Sequence, residues 1–191
     1  MEKEKKHHRR FLSNFFTERK QVGAVAPSSK FLVRSMCNKI NFEECDVILE
    51  LGPGTGVFTY ELLKRAKANT KIILLELNTE FYKILKSKFK DPRVEILLRS
   101  ADEIQEVLDE RNIEKVDAIL SSLPLTIIPK EIKTKIVESS FSALKENGTY
   151  VQYQYSLNAK KLLKSFFGKL DIGFVPVNVP PAFIYTARKK S

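Results

Sequence analysis

Three glycines and one distant acid are the residues best placed to do chemistry in this chain. The segment Val47-Ile-Leu-Glu-Leu-Gly-Pro-Gly-Thr-Gly-Val-Phe-Thr59 runs an apolar stretch into Gly52, Gly54 and Gly56, and a helical pattern follows. Glycines at such a junction let the chain turn sharply and let a ligand approach the backbone, while the following helix offers free N–H groups. The dinucleotide fingerprint G-x-G-x-x-G needs glycine at its sixth place, which here is Val57, so a pyrophosphate site is the weaker reading. Glu76 comes twenty residues after Gly56, at the end of the next apolar run. A carboxylate there can accept hydrogen bonds from both hydroxyls of a ribose.

A second group closes the fourth apolar run, Asp117-Ala-Ile-Leu-Ser-Ser-Leu-Pro124. In doubly wound sheets the carboxyl ends of the strands line the active crevice, so Ser121 to Pro124 belong beside the glycine loop. Other reactive side chains are few. Cys37 and Cys45, with only His7 and His8 as further soft ligands, suggest neither a disulfide framework nor a metal site, and read as reduced packing residues.

The elements that must hold these groups alternate. Residues 47–51, 72–75, 94–98, 116–121 and 150–154 read as strands, and 57–66, 79–89, 103–111, 130–145 and 158–167 as helices between them. Runs such as Ile72-Ile-Leu-Leu75 are apolar on both faces, as in buried parallel strands. The expectation is an α/β fold: a doubly wound, Rossmann-like sheet covered on both sides. The tail differs. Residues 172–177 and 183–187 are strand candidates joined by Asn178-Val-Pro-Pro181, too short for a helix, so they must form an antiparallel hairpin.

The chain has 191 residues, 43% hydrophobic and 29% charged, the balance of an ordinary globular domain and not of a disordered or collagen-like chain. No stretch approaches the ~20 apolar residues of a spanning helix, and no signal peptide is legible, so a cytoplasmic location is expected. The net charge is +10, which favours a polyanionic partner, nucleic acid or an anionic membrane. Residues 1–39 hold ten basic and three acidic side chains. Within them Phe11, Leu12, Phe15 and Phe16 share one helical face with the basic residues mostly outside it. Such an arm suits a membrane interface, although a solubilising tail or a lid packed on the domain remains open. A second helix, capped by Ser28 or Ser29, is expected to run to about Lys39 with Phe31, Leu32 and Met36 facing inward. The division expected is residues 1–45 as basic amphipathic helices and 46–191 as the catalytic domain.

These motifs resemble the class I S-adenosylmethionine-dependent methyltransferases. Glu50-Leu-Gly-Pro-Gly-Thr-Gly56 matches their first motif, and Glu76, with Leu77 beside it, their ribose-binding acid. Ala101-Asp102 matches the position that contacts the adenine. The resemblance implies a seven-stranded sheet with a reversed last strand. It also implies S-adenosylmethionine as cofactor with no metal, held by Glu50, Gly52, Gly54, Thr55 and Gly56, by Glu76, Leu77, Ala101 and Asp102, and by Ser121.

The acceptor corner narrows the resemblance. Ribosomal RNA adenine dimethylases carry Asn-(Leu/Ile)-Pro-aromatic there, whose amide and carbonyl grip the adenine amino group. This chain has Ser122-Leu123-Pro124-Leu125, with neither the amide nor the stacking aromatic. The bacterial phospholipid N-methyltransferases, which methylate phosphatidylethanolamine, are more similar: in Val22-Gly-Ala-Val-Ala-Pro-Ser-Ser29, in Ser121-Ser-Leu-Pro124 and in Asn178-Val-Pro-Pro-Ala182. The implied reaction is methyl transfer to the amino head group of a membrane phospholipid. Ser122, Leu123 and Pro124 would form the acceptor turn, and Tyr153 and Tyr155 would orient the amine, unless they are ordinary strand aromatics. The implied partners are an anionic membrane surface and the phospholipid, at the inner face of the cytoplasmic membrane, with nucleic acid unlikely and a monomer the simplest state. An ornithine lipid as acceptor, an RNA adenine methyltransferase and a binding protein without turnover are the alternatives.

Overall fold

The computed structural model describes residues 28–190. The expected arm helix around Phe11–Phe16 and most of the Val22–Ser29 segment lie outside the described residues. Seven strands form one sheet in the order β3-β2-β1-β4-β5-β7-β6. They are β1 (Val47–Leu51), β2 (Lys71–Leu75), β3 (Val94–Leu97), β4 (Val116–Ser121), β5 (Leu144–Gln154), β6 (Asp171–Val175) and β7 (Ala182–Arg188). The helices are α1 (Lys30–Cys37), α2 (Val57–Arg65), α3 (Thr79–Lys88), α4 (Ile104–Asp109), α5 (Lys130–Ala143) and α6 (Lys160–Phe167).

The central strands are buried on both faces, so their side chains alternate between two cores. Ile48, Ile72 and Leu74 pack with Leu32 and Met36 of α1, Phe58 and Leu62 of α2 and Leu85 of α3. Leu49, Leu51 and Ile73 pack with Val107 of α4, Ile136 of α5 and Leu163 of α6 on the other face. Two helices start on side-chain caps: Ser29 Oγ accepts from Leu32 N at 3.2 Å, and Asn78 Oδ1 accepts from Glu80 N at 2.9 Å and Phe81 N at 3.0 Å. Such caps satisfy backbone donors that a helix start otherwise leaves open, each worth about 1 kcal/mol.

Strand β1 pairs in parallel with both β2 and β4, which makes the junction of β1 and β4 the switch point of the sheet. Strand β7 runs antiparallel to both its neighbours, β5 and β6, as the hairpin length requires.

Three details depart from the expected pattern. Phe31 is exposed, not inward, at 62%. The buried stripe of α1 is Leu32, Val33, Met36 and Cys37; at about 100° per residue Phe31 lies roughly 170° from its centre. Strand β5 starts at Leu144 and not Tyr150, because a step of two along β4 (Val116 to Ala118) is matched by a step of five along β5 (Leu144 to Thr149). Asn147 takes a left-handed conformation in that bulge, φ 61°. Strand β6 stops at Val175, which leaves Val177 in the following loop. Among the described residues no helix is long and apolar enough to cross a membrane.

Candidate active site

The carboxyl ends of β1 and β2 bring the glycine loop and Glu76 together. Gly52 N donates to Leu75 O at 3.0 Å, which carries the chain from β1 across the end of β2. Glu76 Oε2 then accepts from Gly54 N at 2.9 Å, and Oε1 from Asn78 N at 2.8 Å. Glu76 is buried, and burial holds its carboxyl above the ordinary glutamate range against the pull of those N–H groups. Leu77 N–H also points at this carboxylate, whose two oxygens together retain capacity for a further donor.

Below the loop, Glu50 Oε2 accepts from the Thr59 hydroxyl at 2.7 Å while Oε1 has no partner. Glu50 is fully buried. Burial pushes its carboxyl up to about 8, offset in part by Thr59 and reinforced by the Glu76 charge. A buried carboxylate oxygen without a donor is costly, and a cationic ligand group would relieve it.

Gly54 has φ +57°, and a Cβ built on it would meet nothing within 4 Å, so the loop leaves an open cradle there. Open backbone at Gly54, the paired oxygens of Glu76 and the orphaned oxygen of Glu50 together fit a ribose and an ammonium group. Asp102 sits on a 3-10 turn (Ala101–Glu103) after β3, buried, with Lys135 Nζ at 3.4 Å from its carboxylate. Ala101 is buried beside it and Leu77 partly so, while Thr55 is exposed with its carbonyl accepting from Lys88 Nζ at 3.0 Å.

The acceptor turn is bolted to both neighbours of β4. Ser122 N donates to Leu51 O at 2.9 Å. Buried Ser121 accepts from Leu123 N at 3.4 Å through its hydroxyl. Leu123 packs against the glycine loop: a Cβ on Gly52, where φ is +67°, would lie 2.7 Å from Leu123 Cδ2. The cofactor loop and the acceptor turn are therefore in contact. Leu123 O accepts two side-chain amides, Gln152 Nε2 at 2.6 Å and Gln154 Nε2 at 2.8 Å. Gln152 in turn takes the Tyr150 hydroxyl on its Oε1. The Ser122 hydroxyl is buried and has no partner, and Pro124 is half-buried.

Tyr153 stacks on Phe58 of α2 (centroids 5.9 Å apart, planes at 26°) and meets Tyr155 edge-on at 5.7 Å. The two tyrosines form one cluster at the end of β5, on the face opposite to Gln152 and Gln154. Those two glutamines were not among the expected site residues. Their only sequence signal is polar residues at alternate places of a strand whose Gln152 and Gln154 are otherwise buried like core.

The seven-stranded sheet with its single reversed strand, and the site at its switch point, define a class I S-adenosylmethionine-dependent methyltransferase. Among solved structures the chain is similar to precorrin-6y C5,15-methyltransferase from Geobacter metallireducens GS-15, with a TM-score of 0.67 at 17% identity, covering 86% of this chain and 93% of that one. The chain belongs to the ribosomal RNA adenine dimethylase family, which matches residues 6–166. One relative is the ornithine lipid N-methyltransferase of Singulisphaera acidiphila, 29% identical over 180 residues, which are 93% of this chain and 94% of that protein. Another is the ribosomal RNA small subunit methyltransferase A of Mycoplasma mycoides subsp. mycoides, 29% identical over 124 residues. The chain spans only 45% of that protein's length. Among the described residues no group of His, Cys, Asp and Glu could hold a metal ion.

Proposed function

We propose that the chain methylates the primary amine of a membrane aminolipid head group, either phosphatidylethanolamine or an ornithine-type lipid. The observation that carries this reading is the acceptor turn. Its carbonyl, Leu123 O, already accepts two amides, and Ser122 stands where an RNA adenine dimethylase has asparagine. A carbonyl has two lone pairs, so little is left for an adenine amino group. The near full-length match to an ornithine lipid N-methyltransferase supports the same class of acceptor.

When bound, the cofactor supplies an electrophilic methyl on a sulfonium. Glu76 and the Gly54 backbone would hold its ribose, Glu50 its ammonium group and Asp102 its adenine. The amine must arrive neutral, and for an amine of pKa near 10 deprotonation at neutral pH costs about 4 kcal/mol. The unpaired Ser122 hydroxyl offers an acceptor for an amine hydrogen. Tyr153 offers a π face to the methylated cation, and Tyr155 packs edge-on against Tyr153 at the rim of the site. Orientation of the amine on the line of attack then carries most of the rate. The reading includes peripheral attachment to the inner face of the cytoplasmic membrane, with residues 1–45 as basic amphipathic helices, of which residues 1–20 would meet the membrane while α1 packs on the sheet, and 46–191 as the catalytic domain.

The test is incubation with labelled methyl donor and a total lipid extract, beside ribosomal RNA. Label in an aminolipid is expected. Label in RNA with none in lipid would favour the second reading, an RNA adenine methyltransferase, which the family match and the charge of +10 support.

A further inference from the structure

We infer that the ordered domain carries its own lipid contact: the loops after β5 and β6, with the start of α1, form a rim that enters an anionic bilayer surface. This rests on the aminolipid reading above and adds which residues meet the membrane.

The rim lies at the active end of the sheet. Gln154, at the carboxyl end of β5, pairs with Phe183, and Val175, at the end of β6, pairs with Ala182. The loops 155–159 and 176–181 are therefore neighbours at the end where β4 delivers the acceptor turn. Five of the ten exposed large apolar side chains among the described residues belong here: Phe31, Tyr155, Leu157, Val177 and Val179. Single exposed hydrophobics need no explanation, but half of them gathered on one rim do.

Each part of the rim is fastened from beneath. Asn178 is buried; its Oδ1 accepts from Ser29 N at 3.0 Å and its Nδ2 donates to Pro180 O at 2.7 Å. Its neighbours Val177 and Val179 stand outward, 58% and 77% exposed. Ser156 O accepts from the Tyr185 hydroxyl at 3.0 Å, and its neighbours Tyr155 and Leu157 likewise stand outward. The exposed side chains are thus presented by a tied backbone.

The charge identifies the partner. Residues 28–34, 155–161 and 176–181 hold no acid, and they hold Lys30, Arg34, Lys160 and Lys161, all exposed. Apolar tips flanked by unopposed cations are the chemistry of an anionic lipid interface, where the tips enter the acyl boundary and the cations meet head groups. The position of the rim beside the acceptor turn brings a head-group amine to the site without extracting the lipid.

The full chain contains no tryptophan, so Val179→Trp provides a single reporter. With vesicles of phosphatidylcholine and phosphatidylglycerol, its emission should move to shorter wavelength and be quenched by bromines on the acyl chains. Val177→Ser with Val179→Ser should lower vesicle partitioning about tenfold, with cofactor binding and turnover of a short-chain, water-soluble phosphatidylethanolamine unchanged. If wild type methylates no aminolipid but the tryptophan still inserts, the acceptor reading fails and the rim stands. The rim is overturned if the protein floats with vesicles while the emission stays unchanged and the serine variant floats equally. It is also overturned if the emission is already blue-shifted and insensitive before vesicles are added, which means that another part of the chain covers it, or if only RNA moves it.

Discussion

Gln152 Nε2 lies 2.6 Å from the Leu123 carbonyl oxygen, although 29 residues separate them in the chain. Gln154 adds a second donor at 2.8 Å, so two side chains of β5 set the height of the acceptor turn above the glycine loop. They are positioning residues.

Gln152→Leu removes one donor from Leu123 and the amide oxygen from the Tyr150 hydroxyl, both in the buried core. The expected loss is about 1–3 kcal/mol of stability. The catalytic constant should fall while cofactor affinity changes little, because the glycine loop keeps its own bonds to Leu75 and Glu76. Urea unfolding, calorimetry and steady-state kinetics on one preparation separate the three quantities. A variant as stable and as fast as wild type would remove the glutamines from this role.

Glu76→Ala should weaken S-adenosylmethionine and S-adenosylhomocysteine alike. Hydrogen bonds to a charged acceptor are worth about 1.5–3 kcal/mol, hence roughly ten- to hundredfold in affinity. The alanine also frees Gly54 N and Asn78 N, so the loop itself loosens. Calorimetric titration of both ligands is the measurement, and undiminished binding would dismiss Glu76 as a cofactor residue.

Glu50 makes stability depend on pH. Its folded carboxyl titrates near 8 against a reference of 4.5. Between those values the folded chain holds a proton that the unfolded chain has released, so stability contributed below about 4.5 is lost as pH rises through about 8. Glu76, also raised by burial, adds to the same trend. Glu50→Gln should flatten the dependence of the urea midpoint over this window. In wild type, cofactor affinity should rise with pH, because an ammonium group favours the ionised carboxylate. An unchanged slope in the variant would assign the trend to other groups.

Gly52→Ala and Gly54→Ala should fail differently. Both place a side chain at positive φ, which costs about 1–2 kcal/mol. At Gly54 the new methyl enters open space, so the remaining effect is on cofactor affinity. At Gly52 it meets the Leu123 side chain, with Cδ2 at 2.7 Å, and that buried side chain must shift within the acceptor turn. Gly52→Ala should therefore depress the catalytic constant more than Gly54→Ala. Equal effects on rate and affinity in the two variants would show that loop and turn are not coupled.

The parts of this protein that short segments encode could be read directly from residues. A strand buried on both faces is mostly apolar, so β1, β2 and β4 announce themselves, and the spacing from Gly56 to Glu76 spans one helix and one strand of fixed rise. The six residues between β6 and β7 are too few to cross the sheet, which dictates the reversed last strand. Phe31 lies outside the stripe that Leu32, Val33, Met36 and Cys37 define at about 100° per residue, so its outward position follows from the helical period once all four are counted as the inner face. The Gln152–Leu123 bond could not be read at all. It exists only because the β4–β5 register sets Ser121 opposite Gln152, and that register follows a bulge at Asn147 that apolar spacing does not encode. Likewise Asn178 meets Ser29 across 149 residues, when the hairpin packs on the start of α1. Local pattern specified the strands and the cofactor loop; the pairing of distant strands determined what surrounds the acceptor, because side chains far apart in the chain acquire neighbours only when the sheet closes.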